Sequence, residues 1–190
     1  TASEHAAAWT AYLREYLIER ARKGMTVEID SPSYASATLG AFYGIYELTD
    51  DPVLRRRCGD YMTLFWALWA EQQIDGVGGG AKTRTYPDSA KRGADFMRRA
   101  AWYALGIGDP GNVHASMIRF VASSWEMPDL VVDLALDAAG RGSYEVRQRR
   151  MGLAEAGYSH PPRYRMLTET GGILRYGYCT PGFIMGSLFT

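Results

Sequence analysis

Apolar side chains recur every three or four residues through most of the first 140 positions, the spacing of one face of an α-helix. The first such segment covers residues 3–24 and stops at Gly24, a residue type that commonly ends helices. Its apolar positions are Trp9, Tyr12, Leu13, Tyr16 and Leu17. We predict that they form the side of the helix that faces the core.

Two further helices are predicted by their start signals, Ser31-Pro32 and Asp51-Pro52, in which a capping residue precedes a proline at the first helical position. We expect helix two to end near Leu48 and helix three near Ile74. The positions predicted to face inward are Tyr34, Leu39, Phe42, Ile45 and Tyr46 in helix two and Leu54, Cys58, Tyr61, Met62, Phe65, Leu68 and Trp69 in helix three.

A glycine-rich break over residues 75–87 separates these helices from three more. Asp88 is predicted to cap helix four, whose inward face carries Phe96, Ala100, Tyr103 and Ala104. Helix five is expected over residues 112–125 and helix six over residues 128–139. We therefore predict a mainly α fold of antiparallel helix pairs over residues 1–140.

From Ser143 onward the hydrophobic pattern is no longer helical, and apolar and polar residues alternate in short segments typical of strands. Three strands are predicted, over residues 144–149, 164–168 and 173–179. Residues 141–190 therefore read as a short β-rich segment that follows the helical domain.

The lengths of the connections predict where a site lies, because antiparallel helices place successive connections at alternate ends of the bundle. The short connections at 49–51 and 107–111 share one end, and those at 25–31, 75–87 and 125–128 share the other, two of them long. Functional residues concentrate on loops held by a rigid scaffold. The residues expected at this long-loop end are Glu28, Asp30, Tyr34, Arg84, Tyr86 and Trp125.

Composition excludes several classes of function. The 21 basic and 21 acidic residues cancel, so no global charge favours nucleic acid. No apolar run approaches the roughly 20 residues that span a membrane. Cys58 and Cys179 have no metal-ligand spacing. We expect no metal and no cofactor.

Two segments combine residues that could carry chemistry: Glu28-Ile29-Asp30-Ser31-Pro32-Ser33-Tyr34, and the glycine-rich stretch that ends Lys82-Thr83-Arg84-Thr85-Tyr86. The first also fits a plain helix start, with Ser31 as the cap and the acidic residues favouring the helix dipole. The second lacks the Gly-Lys-Ser/Thr sequence of a phosphate-binding loop.

Helix pairs, a Glu-x-(Asp/Asn)-Ser-Pro-x-Tyr start and a glycine-rich loop ending in Arg-x-Tyr resemble the (α/α)-toroid region of heparinase II/III-like and alginate-lyase-like polysaccharide lyases. The resemblance covers roughly residues 5–105, and in that family a β-rich region follows the toroid. It implies an enzyme that cleaves a uronate-containing polysaccharide by β-elimination. It departs from the family in Asn112 and His114, an Asn-x-His pair that our helix count places at the opposite end.

The resemblance suggests roles for particular side chains. An arginine can neutralise the uronate carboxylate, and a tyrosine can remove and return protons. We expect Tyr34, Tyr86, Arg84 and His160 to be catalytic. The predicted substrate-binding residues are Glu28, Asp30, Trp125 and Arg163.

Two other functions fit the same residues. Glu28 and Asp30 could be the acid and base of a glycoside hydrolase on a similar toroid, and the domain could bind sugars without catalysis. Six helices are too few to close a toroid, so we expect the remainder of a larger polypeptide or another subunit as a partner. A polysaccharide substrate also implies a secreted or periplasmic protein.

Overall fold

The computed structural model describes residues 1–26, 28, 31, 34–82, 85, 87, 96–112, 115–152 and 172–189. The helices in these ranges are α1 (Ala2–Arg22), α2 (Tyr34–Leu48), α3 (Pro52–Ala70), α4 (Phe96–Leu105), α5 (Ile118–Val121), α6 (Asp129–Leu136) and α7 (Ala138–Arg141). The strands are β1 (Gln73–Ile74), β2 (Val77–Gly78), β3 (Tyr144–Arg150), β4 (Ile173–Cys179) and β5 (Ile184–Phe189). The chain is mainly helical with a small antiparallel sheet, as predicted.

Helices α1 and α3 lie side by side and run in the same direction. Arg14 in α1 pairs with Asp51 at the start of α3. Six residues later in α1, Arg20 donates a hydrogen bond to the hydroxyl of Tyr61, further along α3. Because later residues of α1 contact later residues of α3, the two helices are parallel. This is expected if both are antiparallel to the helix between them in sequence.

Helix α2 runs in the opposite direction to α3 and forms most of the core with it. Tyr46, near the end of α2, lies under the guanidinium of Arg55 in the first turns of α3, whereas the earlier Tyr43 bonds to the later Trp66. The buried side chains of α3 are Leu54, Cys58, Tyr61, Met62, Phe65, Trp66, Trp69 and Ala70. With so much of its surface buried, α3 is the central helix of the fold.

The start of α3 is as predicted, and the start of α2 agrees with the prediction where it can be seen. The Asp51 side chain accepts a hydrogen bond from Leu54 N at 2.7 Å, and Pro52 follows as the first helical residue. The carbonyl of Ser31 accepts a helical bond from Ala35 N at 3.0 Å, which is the role of a capping residue. Pro32 lies outside the described residues.

The predicted end of helix three is wrong. The helix stops at Ala70, and Gln73–Ile74 pairs with Val77–Gly78 in a hairpin. Asp75 and Gly76 form its turn with positive φ angles of 47° and 76°. An Asp-Gly pair favours this tight turn, and its local preference outweighs the helical spacing that includes Ile74.

Helix α4 buries only part of its predicted face. Phe96 and Ala100 are buried, but Tyr103 and Ala104 are exposed. The two exposed residues lie in the last turns of a helix that ends at Leu105. The predicted cap of this helix, Asp88, lies outside the described residues.

The predicted helix over residues 112–125 is much shorter in the structure. A 3-10 turn at Ala115–Met117 leads into the single turn of α5, and residues 123–128 are not helical. The next helix begins after Pro128, as predicted, but ends at Leu136 rather than at Ala139, and α7 follows separately.

The expected alternation of the connections fails after α3. The amide of Gly108 donates to the Asp75 side chain at 3.2 Å, so the connection after α4 lies beside the hairpin that follows α3. Gly108 also lies beside the first turn of α4, since a Cβ on Gly108 would come within 2.8 Å of the Arg98 carbonyl oxygen, so the chain after α4 folds back along that helix to reach the hairpin. The connection that contains Gly108 therefore lies beside the hairpin, although our helix count placed the two at opposite ends of the bundle.

The sheet has the order β3-β4-β5, with antiparallel pairing throughout. Strands β3 and β4 were predicted, β5 was not, and the predicted strand at 164–168 lies outside the described residues. The sheet packs on the end of α3, where Tyr144 and Gln148 side chains donate to the carbonyls of Glu71 and Leu68, both at 2.7 Å. The division into domains at residue 140 stays a prediction.

Candidate functional site

The end of α1 is joined to β3 by backbone pairing. Met25 N donates to the Arg149 carbonyl, and Met151 N donates to the Lys23 carbonyl, both at 2.9 Å. Gly24 lies between them with φ of +81°, and a Cβ there would come within 2.3 Å of the Arg149 carbonyl oxygen. Only glycine fits this close approach, which brings Arg150 beside the last turns of α1.

A cleft of about 430 Å³ lies along the C-terminal half of α1 where β3 meets it. Its lining combines two tyrosines, three basic residues and three carboxylates: Tyr12, Glu15, Tyr16, Glu19, Arg20, Lys23, Glu28 and Arg150. Glu28 is the one predicted site residue in this lining. We refer to these eight residues as the α1 cleft.

Arg20 is held in the α1 cleft by two tyrosines. Its Nη1 donates to the Tyr16 hydroxyl at 2.5 Å and its Nε to the Tyr61 hydroxyl at 3.3 Å. Its guanidinium carbon also lies 5.4 Å from the centre of the Tyr16 ring. Burial opposes the charge on Arg20, but the electrostatic and hydrogen-bonding effects of Tyr61 and Tyr16 outweigh it and raise the pKa of Arg20.

Arg150 supplies the second guanidinium in the cleft, and among the described residues fewer of its N–H groups are hydrogen-bonded than those of Arg20. Its Nη1 donates to the Met25 carbonyl at 3.4 Å, while its Nε is buried and has no hydrogen-bond partner within the described part of the chain. Burial lowers the pKa of Arg150, and the nearby positive charge of Arg20 lowers it further. An anion placed here would relieve both effects.

The carboxylates along α1 pair with other cations. Glu15 pairs with Arg57 at 3.5 Å, and Glu19 pairs with Arg22 and Lys23 at 3.6 and 3.9 Å. Across the residues that the structure describes, neither Arg20 nor Arg150 forms an ion pair with a carboxylate. Two adjacent guanidiniums bonded only to neutral oxygens form a suitable site for a carboxylate ligand.

The α1 cleft was not predicted from the sequence, although part of its signal was visible. Tyr16 and Arg20 are four residues apart and therefore lie on one face of a helix. The prediction places Tyr16 on the core-facing side of helix one and assigns no role to Arg20. Arg150 had no local signal, since it comes beside Arg20 only through the pairing at Gly24.

Two other predicted site residues are described, and they lie apart. Tyr34 is the half-buried first residue of α2 and is not among the residues that line the α1 cleft. Trp125 is half-buried against Tyr43, with ring centres 5.8 Å apart, and the preceding Ser124 bonds to Glu47 near the end of α2. Trp125 therefore lies towards the opposite end of α2 from Tyr34, and its expected place at the long-loop end is wrong.

Asp30, Arg84, Tyr86, His160 and Arg163 all lie outside the described residues, so their roles stay predictions.

The beginning of the glycine-rich loop is described, and the sheet holds it in place. The fully buried Arg175 donates from Nη2 to the Gly79 carbonyl at 2.8 Å and from Nη1 to the Gln148 side chain at 3.0 Å. A Cβ on Gly79 would lie 2.7 Å from the Cβ of Ile184 in β5. These contacts explain a glycine at position 79 by close packing on the sheet.

The described residues contain no cluster of three or more His, Cys, Asp or Glu side chains arranged to hold a metal ion. Within the same ranges, none of the helices combines the length and apolar character required to cross a bilayer. The fold defines the chain as a mainly helical protein with a small antiparallel sheet. In comparisons with known proteins, no family model, curated protein or solved structure matches it.

Proposed function

We propose that the protein is a polysaccharide lyase that cleaves a uronate-containing polysaccharide by β-elimination, with the uronate carboxylate bound in the α1 cleft. The supporting observation is that Arg20 and Arg150 face the same cleft and are bonded only to neutral oxygens among the described residues. A uronate carboxylate would complete the hydrogen bonding of this pair.

The proposed reaction needs charge neutralisation and two proton transfers. A base removes the proton from the carbon next to the carboxylate, and the guanidiniums stabilise the negative charge that develops on the carboxylate oxygens. The electron pair then forms a carbon–carbon double bond as the glycosidic C–O bond breaks. An acid protonates the departing sugar oxygen.

Tyr16 is the described residue best placed to move these protons, since its hydroxyl lies in the cleft and accepts a hydrogen bond from Arg20. Glu28, also in the lining, would position the substrate hydroxyls. Tyr34, Tyr86, Arg84 and His160 remain proposed catalytic residues from the sequence, and Asp30 and Arg163 remain proposed binding residues. Because the substrate is an extracellular polymer, we also propose a secreted or periplasmic location.

The test is to incubate the protein with alginate, polygalacturonate and neutral dextran while recording ultraviolet absorbance and reducing ends. A lyase raises both on an acidic polymer, because its product carries a double bond conjugated to the carboxylate. New reducing ends without a rise in ultraviolet absorbance would contradict the lyase and indicate a glycoside hydrolase. Neither product on any polymer would contradict catalysis on these substrates and favour a binding or structural domain.

A further inference from the structure

The exposed face of α1 carries a line of aromatic side chains that leads into the α1 cleft. Trp9, Tyr12 and Tyr16 follow one another at intervals of three and four residues, so they share one side of the helix. The ring centres of Trp9 and Tyr12 are 5.6 Å apart, and those of Tyr12 and Tyr16 are 5.7 Å apart. We refer to these three residues as the aromatic row.

The outer part of the aromatic row is open to solvent. Trp9 is 61% exposed and Tyr12 is 55% exposed, although both are large aromatic residues that normally bury much of their surface. Together with His5 and Ala8 they line a second, shallow depression of about 350 Å³. Within the described parts of the chain no other element covers this depression, and exposed aromatic patches on soluble proteins commonly mark binding surfaces.

The shallow depression and the α1 cleft are continuous. Tyr12 lines both of them, and the stack of side chains continues from Tyr16 to the guanidinium of Arg20. From Trp9 to Arg20 the helix advances eleven residues, about 16 Å along its axis. The surface is therefore an elongated track with aromatic faces at one end and paired guanidiniums at the other.

We propose that this track binds several consecutive sugar rings of an acidic polysaccharide, with Trp9 and Tyr12 stacking on rings beyond the one that Arg20 and Arg150 hold. The proposal rests on the proposed function for the identity of the ligand. Sugar rings have apolar C–H faces that stack on aromatic rings, and acidic sugars add a carboxylate at each step. A partner helix would match the aromatic end, but its apolar face would not match the charged cleft that follows directly.

The test uses the 190-residue chain and Trp9→Ala, with Trp102→Ala as a matched control on α4, where Trp102 is 46% exposed. Binding is measured by retardation in gels that contain polygalacturonate or alginate, and by titration with size-fractionated oligomers of the same polymers. We expect Trp9→Ala to weaken binding of long oligomers about tenfold, the loss expected for an aromatic anchor. Binding of the disaccharide should stay unchanged, and Trp102→Ala should match the wild type.

The possible outcomes separate this proposal from the proposed function. Retardation that depends on Trp9, without any cleavage product, would support the track and contradict the lyase. If the wild-type chain cleaves the polymer and Trp9→Ala binds long oligomers as tightly as the wild type, the track is contradicted. The proposed lyase function would be unaffected by that result. A change in molecular mass on light scattering for Trp9→Ala, with sugar binding unaffected, would assign the aromatic row to a protein interface instead. A wild-type chain that neither binds nor cleaves these polymers would overturn both proposals.

Discussion

The indole Nε1 of Trp66 donates a hydrogen bond to the hydroxyl of Tyr43 over 2.8 Å, and both side chains are fully buried between α2 and α3. The bond satisfies the only polar group of the indole in the centre of the core. Removing its acceptor with Tyr43→Phe would leave the N–H buried without a partner, which costs about 1–3 kcal/mol. We therefore expect a lower free energy of unfolding for Tyr43→Phe in urea denaturation.

The matched control for this change is Tyr103→Phe, since Tyr103 is 53% exposed and also packs its ring on Phe120. It should unfold within about 0.5 kcal/mol of the wild type, as surface substitutions usually do. Equal stability of the two variants would show that the Trp66–Tyr43 bond contributes little.

The α1 cleft makes a direct prediction about activity. Arg20→Gln and Arg150→Gln should each lower the rate of cleavage of the acidic polymer about 100-fold or more, because a positioned charge at the transition state is lost. Arg22→Gln is the control on the same helix, where Arg22 forms an exposed pair with Glu19. Circular dichroism would establish that each variant is folded. Comparable rates for all three variants would contradict the assignment of the cleft.

The sequence motif makes a separate prediction for Arg84. We expect Arg84→Ala to lose far more activity than Arg56→Ala, which lies in a run of three arginines on α3. A loss of about 100-fold or more is the size expected for a transition-state donor. Initial rates for the two folded variants provide the measurement, and equal rates would remove Arg84 from the proposed site.

Gly24 links the stability of the fold to the geometry of the cleft. Gly24→Ala would adopt an unfavourable positive φ and would bring Cβ against the Arg149 carbonyl, so the pairing at this position should open. We expect a loss of stability of about 1–3 kcal/mol and reduced binding of polygalacturonate. Gly182→Ala is the control, because a Cβ at Gly182 meets no atom within 4 Å. A Gly24→Ala protein with wild-type melting temperature and binding would refute this role.

Buried acidic groups predict a loss of stability at high pH. Burial raises the pKa of the Cys58 thiol from its ordinary value of 9.0 to about 12, so above pH 9 the unfolded chain releases this proton more readily than the folded chain. The contribution of the protonated thiol to the free energy of unfolding is fully present below pH 9. It is lost as the pH rises towards 12, by up to about 1.4 kcal/mol per pH unit for one group. Urea denaturation between pH 8 and 11 should show this decline. Cys58→Ala should show a shallower one, with Tyr43 and Tyr61, whose pKa values burial also raises, supplying the remainder.

The same spacing of aromatic residues had two different outcomes in this chain. In α3, Trp66 and Trp69 are three residues apart and both are buried, whereas in α1 Trp9 and Tyr12, also three residues apart, remain in solvent. Helical periodicity identifies a face but not the element that covers it. Whether a face becomes core or surface depends on contacts between residues that are distant in sequence.

The sequence by itself determined the features that depend on neighbouring residues. These include the Asp51-Pro52 helix start, the stop at Gly24, and the strands at 144–150 and 173–179. Each of these is set by backbone preferences, capping or side-chain alternation within a few positions.

Tertiary structure alone decided the contact of Gly108 with the hairpin, the burial of Arg175 and the proximity of Arg20 to Arg150. Arg20 and Arg150 are separated by 130 positions in the sequence, and no local preference of either residue encodes their proximity. They meet because Gly24 permits the backbone at the end of α1 to pair with β3, and the packing of the sheet on α3 fixes where β3 lies.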